Sequence, residues 1–302
     1  MKIKDLGEFT RLLAAARAIV DGDVLALERL RSRGLDVNAP IKLDRYVSIE
    51  PLELAIRLKR RRVIDCLIAH GANLSSKESP SIVAAARYGD EKLLRKLVAA
   101  GANVHAVSCV RTDAFEAALQ GKRHRNLPVL EALGHTAKKY GGPAFRSAVL
   151  SGDDVAVTFF LKHGVDLDHR KPDQVFPNRE TPLCVAARNG DLPMVRRLVE
   201  AGADLALTDR GGQRPYDIAV ERNDDELRAY IRSVEPARLH DEPARLRALS
   251  AYALPSSAVA LMKPGARRIE LPDSPFLSSS STPSRTQCRW CSSARNYCAS
   301  RA

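Results

Sequence analysis

The sequence predicts an all-α fold, a solenoid of about seven helix-turn-helix repeats with a disordered C-terminal tail. Three observations carry this. A unit reading TPLCVAARNGDLPMVRRLVEAGADL from Thr181 recurs as AAARYGDEKLLRKLVAAGANV from Ala84, and weaker copies start at Pro51 (PLELAIRLKRRRVIDCLIAHGANL) and Ala148 (AVLSGDDVAVTFFLKHGVDL). Self-similarity at such a period is the mark of a repeat architecture. In every copy 12 residues separate a turn position from a cap: Gly22 and Gly34, Lys59 and Gly71, Gly89 and Gly101, Lys122 and Gly134, Gly152 and Gly164, Gly190 and Gly202. Between them the apolar residues fall at helical spacing, as in Leu94, Leu97 and Val98 or Val195, Leu198 and Val199.

The elements follow in order. The pair around Gly22 opens the array as a candidate terminal cap. Placing each first helix nine residues before its turn position starts later repeats at Glu50, Pro80, Asp113, Pro143, Thr181 and Arg214. The unit from Asp113 is weak: Pro128 falls inside its second helix, where an irregular or kinked course is expected, and HTAKK replaces the glycine-alanine signature. The unit from Arg214 keeps Pro215, Tyr216 and Ala219 in register, has Asn223 at its turn, and ends near Pro236. Helix lengths are constant because packed helices must match their neighbours, whereas the cap-to-helix distances of 16, 9, 12, 9, 17 and 12 residues vary as surface loops can. Asp90, Asp153 and Asp191 each follow a turn glycine, where a carboxylate caps a helix start. The glycine after each second helix supplies the left-handed residue that ends it.

These units resemble ankyrin repeats over roughly residues 13 to 233. Thr181 to Gly190 carries the TPLxxAAxxG pattern, with Cys184 where that family usually has His. The resemblance implies a non-enzymatic module that binds a protein partner through its concave face and projecting loop tips. On that face stand the two residues before each turn position: Arg57 and Leu58, Arg87 and Tyr88, Gln120 and Gly121, Leu150 and Ser151, Arg188 and Asn189, Glu221 and Arg222. Arg57, Arg87, Tyr88, Arg188, Asn189 and Arg222 are the candidate partner-binding residues among them, because Arg and Tyr offer broad contact area and directed hydrogen bonds. The longest loop, DLDHRKPDQVFPNRE from Asp166 to Glu180, adds Phe176 and Arg179. Phe176 reads equally as an apolar anchor in a polar rim and as a side chain folded back on the helices beneath.

Composition bounds the remainder. With 302 residues, 48 Lys+Arg against 36 Asp+Glu and a net charge of +12, the chain is an ordinary globular protein with a basic surface, and an acidic protein partner is expected. The basic runs KRRR (59–62) and KRHR (122–125) lie at the same place in repeats two units apart and should share one edge. No interleaved aromatics or nucleic-acid module accompany them, so a nucleic-acid partner is not expected. No apolar run reaches membrane-spanning length. Asp5, Glu8 and Arg17 spoil a secretory signal, so a cytoplasmic location is expected, and a monomeric state with it. Arg outnumbers Lys 35 to 13 and Ala is abundant, a composition that points to a GC-rich bacterial genome.

No phosphate loop, HExxH or nucleophile elbow is present, and neither a catalytic residue nor a cofactor is expected. The histidines are dispersed, with His70 and His163 beside cap glycines. Cys66, Cys109 and Cys184 read as small buried hydrophobes. CRWCSSARNYC (288–298) begins as CxxC but has no fourth ligand, so no closed metal site is expected. The expected organisation is a repeat domain over 1–240, a linker or partial domain remnant over 241–273, and a Ser/Arg/Cys-rich disordered tail over 274–302 with the character of a frameshifted terminus. Residues 254–276 loosely resemble the opening of SUKH-type domains of bacterial immunity proteins. An immunity or antitoxin-like protein is therefore the specific expectation, with a secreted bacterial effector that engages host proteins as the alternative.

Overall fold

A computed structural model describes residues 14–43 and 48–240. The expected linker and tail over 241–302, and the first 13 residues, lie outside them. Unit one runs to Val234 and holds seven helix pairs. They are α1 (Ala14–Asp21) with α2 (Val24–Ser32), α3 (Pro51–Arg57) with α4 (Arg61–Ala69), and α5 (Ser81–Tyr88) with α6 (Glu91–Ala99). Then come α7 (Ala114–Gln120) with α8 (Leu127–Ala132), the short α9 (Ala137–Tyr140), and α10 (Gly142–Ser151) with α11 (Asp154–Lys162). The array closes with α12 (Pro182–Asn189) and α13 (Leu192–Glu200), and α14 (Pro215–Glu221) and α15 (Asp225–Val234). β1 (Ile41–Lys42) and β2 (Ser48–Ile49) pair antiparallel, Ile41 opposite Ile49, in the first long loop. The described part of the second unit is Glu235–His240, with a 3₁₀ turn over Ala237–His240. Among the described residues no helix is long and apolar enough to cross a membrane.

The helix starts obey local chemistry. Asp90, Asp153 and Asp191 accept the amides of Leu93, Ala156 and Met194 at 3.1, 3.1 and 3.0 Å. Asp23 and Asp224 do the same for α2 and α15, with Ala26 and Leu227 as donors. Each such bond satisfies an amide that the first helical turn leaves without a backbone partner. First helices begin after Glu50, Pro80, Asp113, Thr181 and Arg214, as the register predicts. The fifth differs: α10 is capped by Gly141, so Pro143 stands inside the first turn, where its missing amide costs nothing. In the fourth repeat Pro128 does not kink a helix. A 3₁₀ turn over His124–Asn126 occupies the expected first turn, and Pro128 sits near the start of α8.

The second helices of the first six pairs end on left-handed glycines, as at Gly101 with φ of 96°. At the helix–helix turns Lys59 and Lys122 take positive φ values of 58° and 52° in the place glycine fills elsewhere. Gly89 departs from the pattern with φ of −88°; what excludes a side chain there is the Ala85 carbonyl, 2.7 Å from an added Cβ.

The core runs continuously along the stack. Ala55, Ala85, Ala86, Ala117, Ala118, Ala148, Ala186, Ala187 and Ala219 are wholly buried on the first helices, and Ile64, Leu67, Leu94, Leu97, Val157, Phe160, Val195, Leu198, Leu227 and Ile231 on the second. Small residues let neighbouring first helices approach closely while the longer side chains fill the space beneath. The cysteines divide: Cys184 is buried as expected, but Cys66 is half-buried and Cys109 exposed, so the core reading is corrected for those two.

Candidate partner-binding face

The two positions before each turn have different surroundings. The residue immediately before the turn reaches the preceding repeat. Asn189 donates through Nδ2 to the Leu150 carbonyl at 3.0 Å, and Arg222 donates through Nη1 to the Arg188 carbonyl at 2.6 Å. At the fourth repeat this place is Gly121, and an added Cβ would lie 2.1 Å from the Arg87 carbonyl. In the third it is Tyr88, whose ring receives the Arg57 guanidinium at 5.3 Å. Asn189 and Arg222 therefore stitch repeat to repeat through main-chain bonds, a use the sequence reading did not give them.

The residues one place earlier are Arg57, Arg87 and Arg188. Arg188 is exposed but held by Glu180 at 3.1 Å and Asp209 at 3.0 Å. Arg57 pairs with Glu53 along α3. Arg87 is exposed, lies 5.4 Å from the centre of the Tyr88 ring, and has no ion pair among the described residues. Arg57, Arg87 and Tyr88 thus form one cluster, with the ring flanked by two guanidinium groups.

Beside the cluster lies a cavity of about 290 Å³. Ile56, Ile64 and Leu93 contribute its apolar wall and Tyr88 its aromatic one, while Lys59, Arg61, Lys92, Lys96 and Arg123 bring positive charge. Asp90 neutralises Arg61 and Asp65 neutralises Lys96. Lys59, Lys92 and Arg123 have no carboxylate partner among the described residues, and Arg123 Nε is buried without a hydrogen bond. Lys59, Arg61 and Arg123 come from the two basic runs, which do share this edge.

Phe176 requires correction as a surface anchor. It is 3% exposed, and the Arg146 guanidinium lies 4.3 Å from its ring centre. Arg146 is itself wholly buried; it donates to the Glu180 carbonyl at 2.9 Å and the Lys171 carbonyl at 2.8 Å, and pairs with Asp173. The loop folds back because one buried cation satisfies its inward carbonyls while the ring covers that cation. Arg179 remains exposed, with φ of 59°.

Two further polar features involve the third to fifth repeats. Glu116 is pushed up from 4.5 to about 7, chiefly by burial and then by the Asp113 carboxylate, with the Asp113 amide and Arg146 opposing. His105 and His135, far apart in sequence, meet at 3.3 Å between Nδ1 atoms, and both stack on Tyr140, at 4.5 and 4.7 Å between ring centres. Burial, followed by the neighbouring His135 and Lys139, lowers the His105 pKa. Ligand-type side chains also converge at Glu28, Cys66 and His70 on the first two repeats.

Residues 161–219 match the family model described as "Ankyrin repeats (many copies)". The chain is 29% identical over 92 residues to alpha-latrocrustotoxin-Lt1a of Latrodectus tredecimguttatus, covering 30% of this chain and 6% of the toxin. It is 38% identical over 87 residues to diacylglycerol kinase zeta of Rattus norvegicus, covering 28% of this chain and 9% of the kinase. The chain thus spans under a tenth of the curated relatives it matches. Among solved structures, the human ASB11 ankyrin repeat domain superposes with a TM-score of 0.56 at 19% identity, covering 74% of this chain and 98% of that one. The ankyrin repeat domain of Bcl-3, a member of the IkappaB protein family, gives 0.58 at 22%, covering 73% and 99%. The fold is thus that of an ankyrin-repeat solenoid, and the sequence matches the ankyrin-repeat model over residues 161–219.

Proposed function

We propose that the chain is a non-enzymatic binding module whose helix–helix turn edge, across the second to fourth repeats, receives an acidic segment of a protein partner. The observation that carries the reading is the meeting of Arg57 and Arg87 on the Tyr88 ring, beside a cavity whose Lys59, Lys92 and Arg123 have no carboxylate partner among the described residues. Guanidinium groups match carboxylates in a fixed fork geometry, and a tyrosine ring adds apolar contact area with few rotors to immobilise. Arg179 adds an exposed cation toward the C-terminal repeats, while Arg188 is held by Glu180 and Asp209.

The finer reading is an immunity or antitoxin-like role for a cytoplasmic, monomeric bacterial protein, with a secreted bacterial effector as the alternative. It is supported by the Arg-over-Lys composition and by residues 254–276, which lie outside the described residues. A toxin gene adjacent on the native chromosome would favour the first role over the second.

The binding reading is tested by panning a phage-displayed peptide library on the full chain. Selected peptides should be rich in Asp and Glu and should lose affinity as salt rises. Tyr88→Ala and Arg87→Ala should each weaken the best peptide at least about tenfold, or 1.4 kcal/mol. Neutral peptides, or peptides insensitive to both substitutions, would reject this edge as the binding site.

A further inference from the structure

Cys66 lies on α4 and His70 caps its end, four residues apart, so their side chains share one face of the helix. Glu28 on α2, in the preceding repeat, meets them there. His70 Nε2 is 4.0 Å from Glu28 Oε1, and one ligand atom from each of the three residues lies within 4.8 Å of the other two.

A tetrahedral zinc ion with bonds of about 2.0 to 2.3 Å holds its ligand atoms about 3.5 Å apart. Closing the present triangle to that size needs movements of about an ångström, well within side-chain rotation. The Glu28 side chain is 49% exposed and can make that movement. Thiolate, imidazole and carboxylate form a borderline-soft set that suits zinc and is foreign to calcium or magnesium, which take oxygen ligands.

We infer that Glu28, Cys66 and His70 bind a zinc ion that bridges the first and second repeats, with solvent as the fourth ligand. The site is distinct from the basic edge, since none of its residues lines that cavity. The ion would fasten the first described helix pair to its neighbour, adding to the repeat–repeat interface that stabilises each unit of a solenoid. Binding releases the Cys66 thiol proton to solvent and involves no electron transfer. Arg31, on the same helix as Glu28, is the nearby charge that opposes the ion.

The test uses the full chain with Cys288, Cys291 and Cys298 changed to Ser, so that those thiols cannot supply ligands. Titration with cobalt(II) as the probe should give a cobalt–thiolate charge-transfer band saturating at one equivalent, and zinc should displace the cobalt. Cys66→Ser should abolish the band, and His70→Ala and Glu28→Gln should each weaken binding at least about tenfold. Arg31→Ala should tighten it. Zinc should raise the melting temperature of this background and not of its Cys66→Ser variant. Cys66→Ala serves as a second thiol-free variant, and circular dichroism before metal addition verifies that each variant is folded. No thiolate band, or a band that survives Cys66→Ser and disappears with Cys109→Ser, overturns the site.

Discussion

Replacing Phe176 with Ala tests how the longest loop is held. The ring is 3% exposed and covers a wholly buried guanidinium, so truncation removes apolar contact and uncovers a charge at one stroke. Burying a phenylalanine is worth about 3 to 5 kcal/mol by comparison with Ala where the surroundings cannot collapse. A desolvated cation–ring contact accounts for about 2 kcal/mol within that total. The loop's own turn survives, because the Phe176 amide still donates to Asp173 Oδ1 at 2.7 Å. That leaves some freedom to relax, and about 3 to 4 kcal/mol is expected, equivalent to a fall of roughly 6 to 16 °C in melting temperature for a domain of this size. Urea unfolding followed by circular dichroism measures it, with Phe176→Leu expected to recover part of the loss. A cycle with Arg146→Met should show a coupling of about 0.5 to 3 kcal/mol between the two residues. A loss below about 0.5 kcal/mol, the range of surface substitutions, would refute the packing argument and restore Phe176 as a candidate anchor for a partner.

Leu198→Ala, at a wholly buried position of α13, should cost about 2 to 5 kcal/mol by the same urea assay. Asp191→Ala should cost about 1 kcal/mol, because the Met194 amide loses its acceptor, and Asp191→Ser should recover most of that. Gly121→Ala should destabilise by more than about 1 kcal/mol, since a Cβ 2.1 Å from the Arg87 carbonyl forces the third and fourth repeats apart, and hydrogen exchange should report the opening there first. Glu116 has its folded pKa raised from 4.5 to about 7, so its favourable contribution is complete below pH 4.5 and lost as pH rises through 7. Thermal melts should therefore fall more steeply from pH 5 to 8 for the native chain than for Glu116→Gln, and parallel curves would contradict the burial of that carboxyl.

The repeat frame was legible because it rests on short-range chemistry. Left-handed glycines, capping aspartates and the spacing of Leu94, Leu97 and Val98 each act within one or two helical turns. What escaped was the chemistry between repeats. Arg146 lies six residues before the Gly152 turn, in a column that also holds Glu53, Glu116, Cys184 and Asp217, so its charge does not stand out in the repeat pattern. Its acceptors, the carbonyls of Lys171 and Glu180, are main-chain groups with no side-chain signature. Likewise the equal surface status given to the two residues before each turn ignored that one of them faces the preceding repeat. The meeting of Glu28, Cys66 and His70 depends on how the first two repeats are phased, which neither repeat encodes alone.

That asymmetry bears on which cations are available to a partner. Several side-chain bonds between neighbouring repeats go to main-chain carbonyls: Asn126 to Ala86, Asn189 to Leu150, Arg222 to Arg188. Since every residue carries a carbonyl, such bonds hold the stack without constraining the side chain of the residue that accepts them. Arg188, which accepts through its main chain, is still committed to Glu180 and Asp209 through its guanidinium. Arg87 stands in the equivalent place of the third repeat, yet its neighbour one repeat on is Gly121, which has no side chain to reach back or cover it. Arg87 and Arg188 are both exposed, so exposure does not separate the two repeats. Pairing does: Glu180 and Asp209 hold the Arg188 guanidinium, whereas Arg87 has no ion pair among the described residues and stands beside Lys59, Lys92 and Arg123, and this is what leaves the uncommitted cations at the third repeat rather than at the better-formed sixth.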